Sequence, residues 1–277
     1  FLKLLSVLKC ICFNYYLMAA ENGSKEAFKK MQKLFIEDKD EVILDTTIEY
    51  RYLKLSADNN NSAEEQYQLG LIYKDDSDID NAICYLEKAS DQGHYKSRIE
   101  LALLFKNILR NKSKMNINSI KSLKLYPTDE SLLKKIKGLL SSMADFDVDA
   151  QFNLGMIYVE ENDPFQARIY LLKAAENDHI ESLYQVGLLH MKSKEDGQKN
   201  LIRATEYLKK ASDNGYSDAD VRLGDIYSNK NSSTHYDLDK AIMFYTKASN
   251  NGNADAQAAL GDLYSNNESP QYNIQKA

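Results

Sequence analysis

Four histidines, three cysteines and 41 Asp and Glu residues are the groups in this chain that could bind a metal, attack a carbonyl or move protons. Their spacing decides whether such chemistry is on offer. His94 and His179 stand at matching places after a helix end, His190 stands where comparable segments have Tyr, and His235 lies in a polar run. None is set from a Cys, Asp or Glu at the intervals a zinc site uses. Cys10-Ile11-Cys12 has no second pair at ligand spacing. Cys84 falls between apolar positions and is expected to be buried or half-buried, with no basic neighbour or helix N-terminus to activate it. A glycine-rich phosphate loop, a nucleophile elbow and a paired-carboxylate cleft are all missing from the sequence. The expectation is therefore no catalytic residue, no metal and no cofactor.

What remains is a chain of 277 residues, 43% hydrophobic and 27% charged, with a formal charge of −6 and a pI near 5.4. Three cysteines exclude a disulfide framework. The acidic balance argues against a surface that attracts nucleic acid or anionic membrane throughout. Residues 1–20 form an apolar leader in which Lys9 interrupts the run from Leu4 to Leu8, so they fall short of the roughly 20 apolar residues that span a bilayer. Two readings of this leader stand: a signal-like segment, or a start at Met18 preceded by over-extended sequence. Five Asn-x-Ser sequons, at Asn22, Asn60, Asn111, Asn231 and Asn267, leave both the cytoplasm and the secretory pathway open.

The elements that organise the chain are repeats. Leu69-Gly70-Leu71-Ile72-Tyr73 recurs as Leu154-Gly155-Met156-Ile157-Tyr158, Leu223-Gly224-Asp225-Ile226-Tyr227 and Leu260-Gly261-Asp262-Leu263-Tyr264. Degenerate copies surround Val186-Gly187 and Leu101-Ala102. A second signature follows: Ala82, Tyr85, Leu86, Ala89, then Ala167, Tyr170, Leu171, Ala174, then Ala204, Tyr207, Leu208, Ala211, then Ala241, Phe244, Tyr245, Ala248. Steps of i, i+3, i+4, i+7 mark one face of an amphipathic helix. Both signatures are predicted helices.

Gly70, Gly155, Gly187, Gly224 and Gly261 sit inside the first helix, where Gly costs roughly 1 kcal/mol against Ala. Repetition of so unfavourable a residue predicts close approach of a partner helix. Gly93, Gly215 and Gly252 stand just past the second helix, where a left-handed cap favours Gly, and Asn61 and Asp178 hold the same offset. Phe146 is the exception there, so the helix before it is expected to end differently. From the first Ala of a second helix to the next small residue the interval is 20 in every copy, whereas Gly to Ala is 12 or 17 within a copy. Length variation is therefore predicted in the loop inside each hairpin.

The combination of Ala219, Leu223-Gly224, Tyr227, Asp237, Lys240-Ala241, Tyr245, Lys247-Ala248 and Gly252 resembles the Sel-one-like repeat, a variable-length relative of the tetratricopeptide repeat. The resemblance covers about Glu64 to the C-terminus. It implies an all-α, right-handed αα-superhelix, a solenoid of helical hairpins, and a non-enzymatic scaffold or adaptor that binds other proteins or peptides. Proteins of this kind serve in endoplasmic-reticulum ubiquitin-ligase complexes, cell-wall synthase activation and bacterial signalling, so the alternatives are a quality-control adaptor or a regulatory segment of a larger enzyme such as a kinase. A secreted or periplasmic hydrolase is a third reading.

The predicted organisation is a leader at 1–20, a divergent N-terminal helical cap at 21–62, and a repeat array at 63–277 that is truncated within a further copy. A basic loop is expected at 106–127, with Lys106, Arg110, Lys112, Lys114, Lys121 and Lys124 and no acid, before a helix over Leu132–Met143. On the first helices, positions two before and two after the packing leucine lie about 200° round and point away from the hairpin. These are Tyr67 and Leu71, Phe152 and Met156, Tyr184 and Leu188 with Met191, then Val221 and Asp225, then Ala258 and Asp262. Partner contact is expected there, apolar at one end and acidic at Asp225 and Asp262. The competing reading is that the rings at Tyr67, Phe152 and Tyr184 only pack on neighbouring repeats.

Overall fold

A computed structural model describes residues 2–37, 46–59, 62–112, 120–193, 197–229 and 236–265. Among these residues there are fourteen α-helices and no strand. The chain divides into two compact units, Phe1–Leu139 and Leu140–Ala277, where the sequence suggests boundaries near residues 20 and 62.

The first unit contains α1 (Leu2–Glu21), α2 (Lys25–Glu37), α3 (Thr46–Asn59), α4 (Ala63–Asp75), α5 (Ile79–Asp91), α6 (Tyr95–Arg110) and most of α7 (Asp129–Ser141). Residues set apart as a leader form α1, whose Phe13 and Leu17 are fully buried with Met31 and Tyr52. The Phe13 and Tyr52 rings meet edge-on at 5.6 Å. Buried Gln66 of α4 donates to the Ala57 carbonyl at 3.1 Å, Tyr85 of α5 donates to Asp58 at 2.9 Å, and the Tyr50 and Tyr73 hydroxyls lie 2.8 Å apart. These bonds tie α3 to the α4–α5 hairpin.

The expected basic loop is largely built structure. Lys106 and Arg110 belong to α6, because Leu101, Leu104, Phe105 and Ile108 continue its buried face past the charges. Lys112 pairs with Asp129. Lys121–Leu125 is a 3-10 turn anchored on α5, where Asp80 Oδ1 accepts from the Ser122 N–H at 2.9 Å and its hydroxyl at 3.0 Å. Lys114 lies outside the described residues.

The second unit holds three hairpins, α8 (Val148–Glu160) with α9 (Pro164–Glu176), α10 (Ile180–Lys192) with α11 (Gly197–Asp213), and α12 (Ser217–Ser228) with α13 (Leu238–Asn250), followed by α14 (Ala254–Ser265). Its core runs through Ala167, Leu171, Leu183, Val186, Leu208, Leu223, Ala241 and Ala248. A Cβ added at Gly70, Gly155 or Gly187 would stand 2.7–2.8 Å from Cγ of Leu86, Leu171 or Leu208, and at Gly224 it would stand 2.5 Å from the Tyr245 ring. No described atom lies within 4 Å of such a Cβ at Gly261, whose expected partner helix falls beyond residue 265.

Past the second helices, Gly93, Gly215 and Gly252 take φ between 82° and 87°, and Asp178 takes 57°. The chain after α7 turns instead on the Met143 carbonyl, which accepts from Phe146 and Asp147 N–H. Asn61 lies outside the described residues.

Three of the hairpins, α4–α5, α8–α9 and α12–α13, close through the same pair of bonds. The N–H groups of Asp78, Asp163 and Asp237 donate to the carbonyls of Tyr73, Tyr158 and Tyr227 at 2.8, 2.9 and 2.8 Å. The same aspartates cap α5, α9 and α13 by accepting from the N–H of Asn81, Gln166 and Lys240. In the two short loops Ser77 and Asn162 adopt φ of 62° and 58°, and the longer third loop carries its extra residues between the same two anchors.

Candidate functional site

The aromatic residue two before the packing leucine or valine, at 69, 154 and 186, meets the residue that precedes the next first helix. Tyr67 lies over the His94 imidazole with centroids 4.7 Å apart, Phe152 over His179 at 4.6 Å, and Tyr184 against Tyr216 at 5.0 Å. Each cap residue stands eight before the small residue of its own helix, at 102, 187 and 224. His94 Nδ1 accepts from the Ser97 N–H and His179 Nδ1 from the Ser182 N–H, both at 3.2 Å. The two histidines are thus helix caps held under rings. His94 Nε2 also lies 3.2 Å from Glu64 Oε2.

These stacks use one face of every ring that the sequence nominated for partner contact. Tyr67 and Phe152 stay half-buried, with Leu71, Met156 and Leu188 half-buried one turn further along their helices. Tyr184 is only 8% exposed, so little of it is open to a partner, because Tyr216 brings a second large ring where the other junctions have imidazole. Met191 is exposed at the end of α10, and Val221 is buried.

Asp225 is half-exposed, and both of its carboxylate oxygens already have partners. Its Oδ2 accepts from Arg222 Nη1 at 2.9 Å and its Oδ1 from the Tyr245 hydroxyl at 2.8 Å. Hydrogen bonding to Tyr184 and then to Asp225 pushes the Arg222 guanidinium further up from its ordinary range, while burial opposes this less strongly than the Tyr184 bond. Burial pushes the Tyr245 phenol up to about 12. The acid stays half-exposed but is partnered, because the long tyrosine at position 245 reaches across from α13, a contact that the spacing on α12 cannot reveal. Asp262 and Ala258 are exposed on α14.

A second ring ladder runs inside the hairpins. Tyr73 stacks with Tyr85, Tyr158 with Tyr170, His190 with Tyr207 and Tyr227 with Phe244, centroids 5.6–5.9 Å apart and planes within 14°. Both members of each pair sit three residues after their copy's Gly or first Ala, so the regular spacing was the available signal for this pairing. His190 is buried, with Nδ1 3.4 Å from Asn200 Oδ1. Burial chiefly, with Arg168 and Arg203 adding to it, pushes its imidazole below the ordinary value. Cys84 is exposed rather than buried, since it projects between the inward Ile83 and Tyr85. Among the described residues no group of three or more His, Cys, Asp or Glu is arranged to hold a metal ion, and no helix is long and apolar enough to cross a membrane.

Hairpins welded by small residues inside and by ring-on-cap stacks between copies define an α-helical repeat protein of the tetratricopeptide-like class. The Sel1 repeat model matches residues 11–24, 148–179, 180–216, 217–253 and 254–277, and this chain belongs to the Sel1 repeat family. A tetratricopeptide repeat model matches residues 66–91. Such repeats are in general protein-interaction scaffolds. A search of the curated proteins finds no match. Among solved structures, a Sel1 repeat protein from Oxalobacter formigenes shares the fold at 22% identity and a TM-score of 0.54, over 83% of this chain and 91% of that one. YrrB, a TPR protein with an unusual peptide-binding site, aligns at 17% identity and a TM-score of 0.49 over 75% of this chain and 96% of its own. MamA aligns at 17% identity and 0.47, over 70% and 94%.

Proposed function

We propose that this protein is a non-catalytic scaffold that binds peptide segments of partner proteins on the outward face of the first helices within each of its units. The observation that carries the reading is the set of pre-stacked, half-open rings at Tyr67 and Phe152, each bordered by an aliphatic side chain one turn on, at Leu71 and Met156. A ring already fixed by a neighbour loses little rotamer freedom on contact, so a partner's apolar side chain gains burial at low entropic cost. Leu188 and Met191 extend the same face on α10, and exposed Asp262 offers a contact for a basic flank on α14.

Peptides selected from a random displayed library on the purified chain supply the probe. Leu71→Ser, Met156→Ser and Leu188→Ser together are expected to weaken the selected peptide about tenfold or more, with helicity unchanged by circular dichroism. Undiminished affinity in that folded variant overturns the reading.

A further inference from the structure

The residue after the first packing alanine of each second helix is Ile83, Arg168, Thr205 or Ile242. Ile83 is fully buried and Thr205 nearly so, so the hairpin asks for a compact side chain there. Arg168 departs from this. Its Nε is buried without a hydrogen-bond partner, an arrangement that costs free energy until an acceptor arrives.

Arg168 lines a pocket of about 500 Å³ together with Arg203 and Lys210, and Glu206 is the one carboxylate among its lining residues. His190 forms part of the wall and is held towards its neutral form by burial and by Arg168 and Arg203, so the positive charge of the pocket comes from Arg168, Arg203 and Lys210. Arg168 also borders a neighbouring pocket of about 530 Å³, whose lining includes Val159, Pro164, Phe165 and Leu189. Phe165 is 71% exposed, and Ile169 and Ile202, adjacent in sequence to the two arginines, are exposed as well. Neither feature serves hairpin packing. In a chain of net charge −6, a cationic pocket beside an apolar shelf is a local exception.

We propose that these adjoining pockets bind an acidic segment of a partner protein, with a carboxylate between Arg168 and Arg203 and an apolar side chain against Phe165. The shelf favours a peptide over a bare polyanion, because a phosphate backbone would leave Phe165 and Leu189 uncovered while meeting the chain's overall negative charge. This surface is distinct from the first-helix face and does not depend on it.

The probe is a fluorescein-labelled decapeptide alternating Leu and Glu, with Gln replacing Glu in its control, read by fluorescence anisotropy on the whole chain. The Glu peptide is expected to bind about tenfold tighter than the Gln peptide, and to weaken as salt rises. Arg203→Gln, at an exposed position, and Arg168→Gln are each expected to lose about fivefold or more, while Lys96→Gln, which removes an exposed cation elsewhere on the chain, leaves binding unchanged. Equal affinity for both peptides overturns the proposal, as does unchanged binding by a folded Arg203→Gln chain. Inorganic phosphate that raises the melting temperature of a chain to which the Glu peptide does not bind would also overturn it, in favour of a small-anion site.

Discussion

Gly224 of α12 lies directly beneath the ring of Tyr245 on α13, so close that a Cβ on the glycine would stand 2.5 Å from Cε1 and 2.6 Å from Cδ1. The ring is pinned by its hydroxyl bond to Asp225 and cannot swing aside without breaking it. Gly224→Ala is therefore expected to destabilise by about 1–3 kcal/mol despite the better helix propensity of Ala. Gly138 in α7 is exposed with no atom within 4 Å of its added Cβ, so Gly138→Ala is expected to stabilise by about 0.5–1 kcal/mol. Chemical denaturation of the two variants checks the opposite signs.

Asp220 is fully buried, accepts from the Ser212 hydroxyl, and lies 3.2 Å from Lys247 Nζ, which also donates to the Ser212 carbonyl at 2.8 Å. The lysine side chain is 43% exposed and can return to water, whereas the carboxylate cannot. Lys247→Met is thus expected to cost about 3 kcal/mol by stranding a buried charge, and Asp220→Asn distinctly less. Equal losses in urea unfolding would contradict this asymmetry.

The depressed imidazole of His190 links stability to acidity. Its unfolded form takes up a proton near pH 6.5, while the folded form resists protonation, so the unfolded chain binds more protons as pH falls below that value. Stability is expected to be full above about pH 7 and to decline on acidification until the lower folded value is passed. His190→Tyr, which installs the residue found at positions 73, 158 and 227, is expected to flatten this part of the profile in differential scanning fluorimetry between pH 7.5 and 5.

The Phe152–His179 stack predicts a coupling energy. In a double-mutant cycle with Phe152→Ala and His179→Ala, about 0.5–1.5 kcal/mol is expected, and His179→Ala alone forfeits a helix cap worth about 1 kcal/mol in addition. Phe152 paired with Tyr216, which stacks on Tyr184 instead, is expected to show none.

How much of this the sequence reveals follows the range of each interaction. The hairpins are legible because their determinants lie within a few residues of each other, and the glycines at 70, 155, 187 and 224 announce close approach by being costly where they are. The stack of Phe152 on His179 spans 27 residues and depends on how one repeat seats on the next, so spacing leaves its two readings open. Asp225 looks like a free surface acid on a helical wheel of α12 alone, and only the reach of Tyr245 from α13 gives its Oδ1 a partner. Charge misleads at 106–112, where Lys106 and Arg110 suggest a loop but the buried stripe of α6 holds them in a helix.

The paired anchors at Tyr73 and Asp78, Tyr158 and Asp163, and Tyr227 and Asp237 pinch three hairpins at the neck, although the third neck encloses more residues than the first two. Decoration and load-carrying frame are thereby uncoupled. A foreign epitope or recognition loop spliced between Tyr227 and Asp237 would be displayed like a pennant from a mast, while the helices on either side kept their seats.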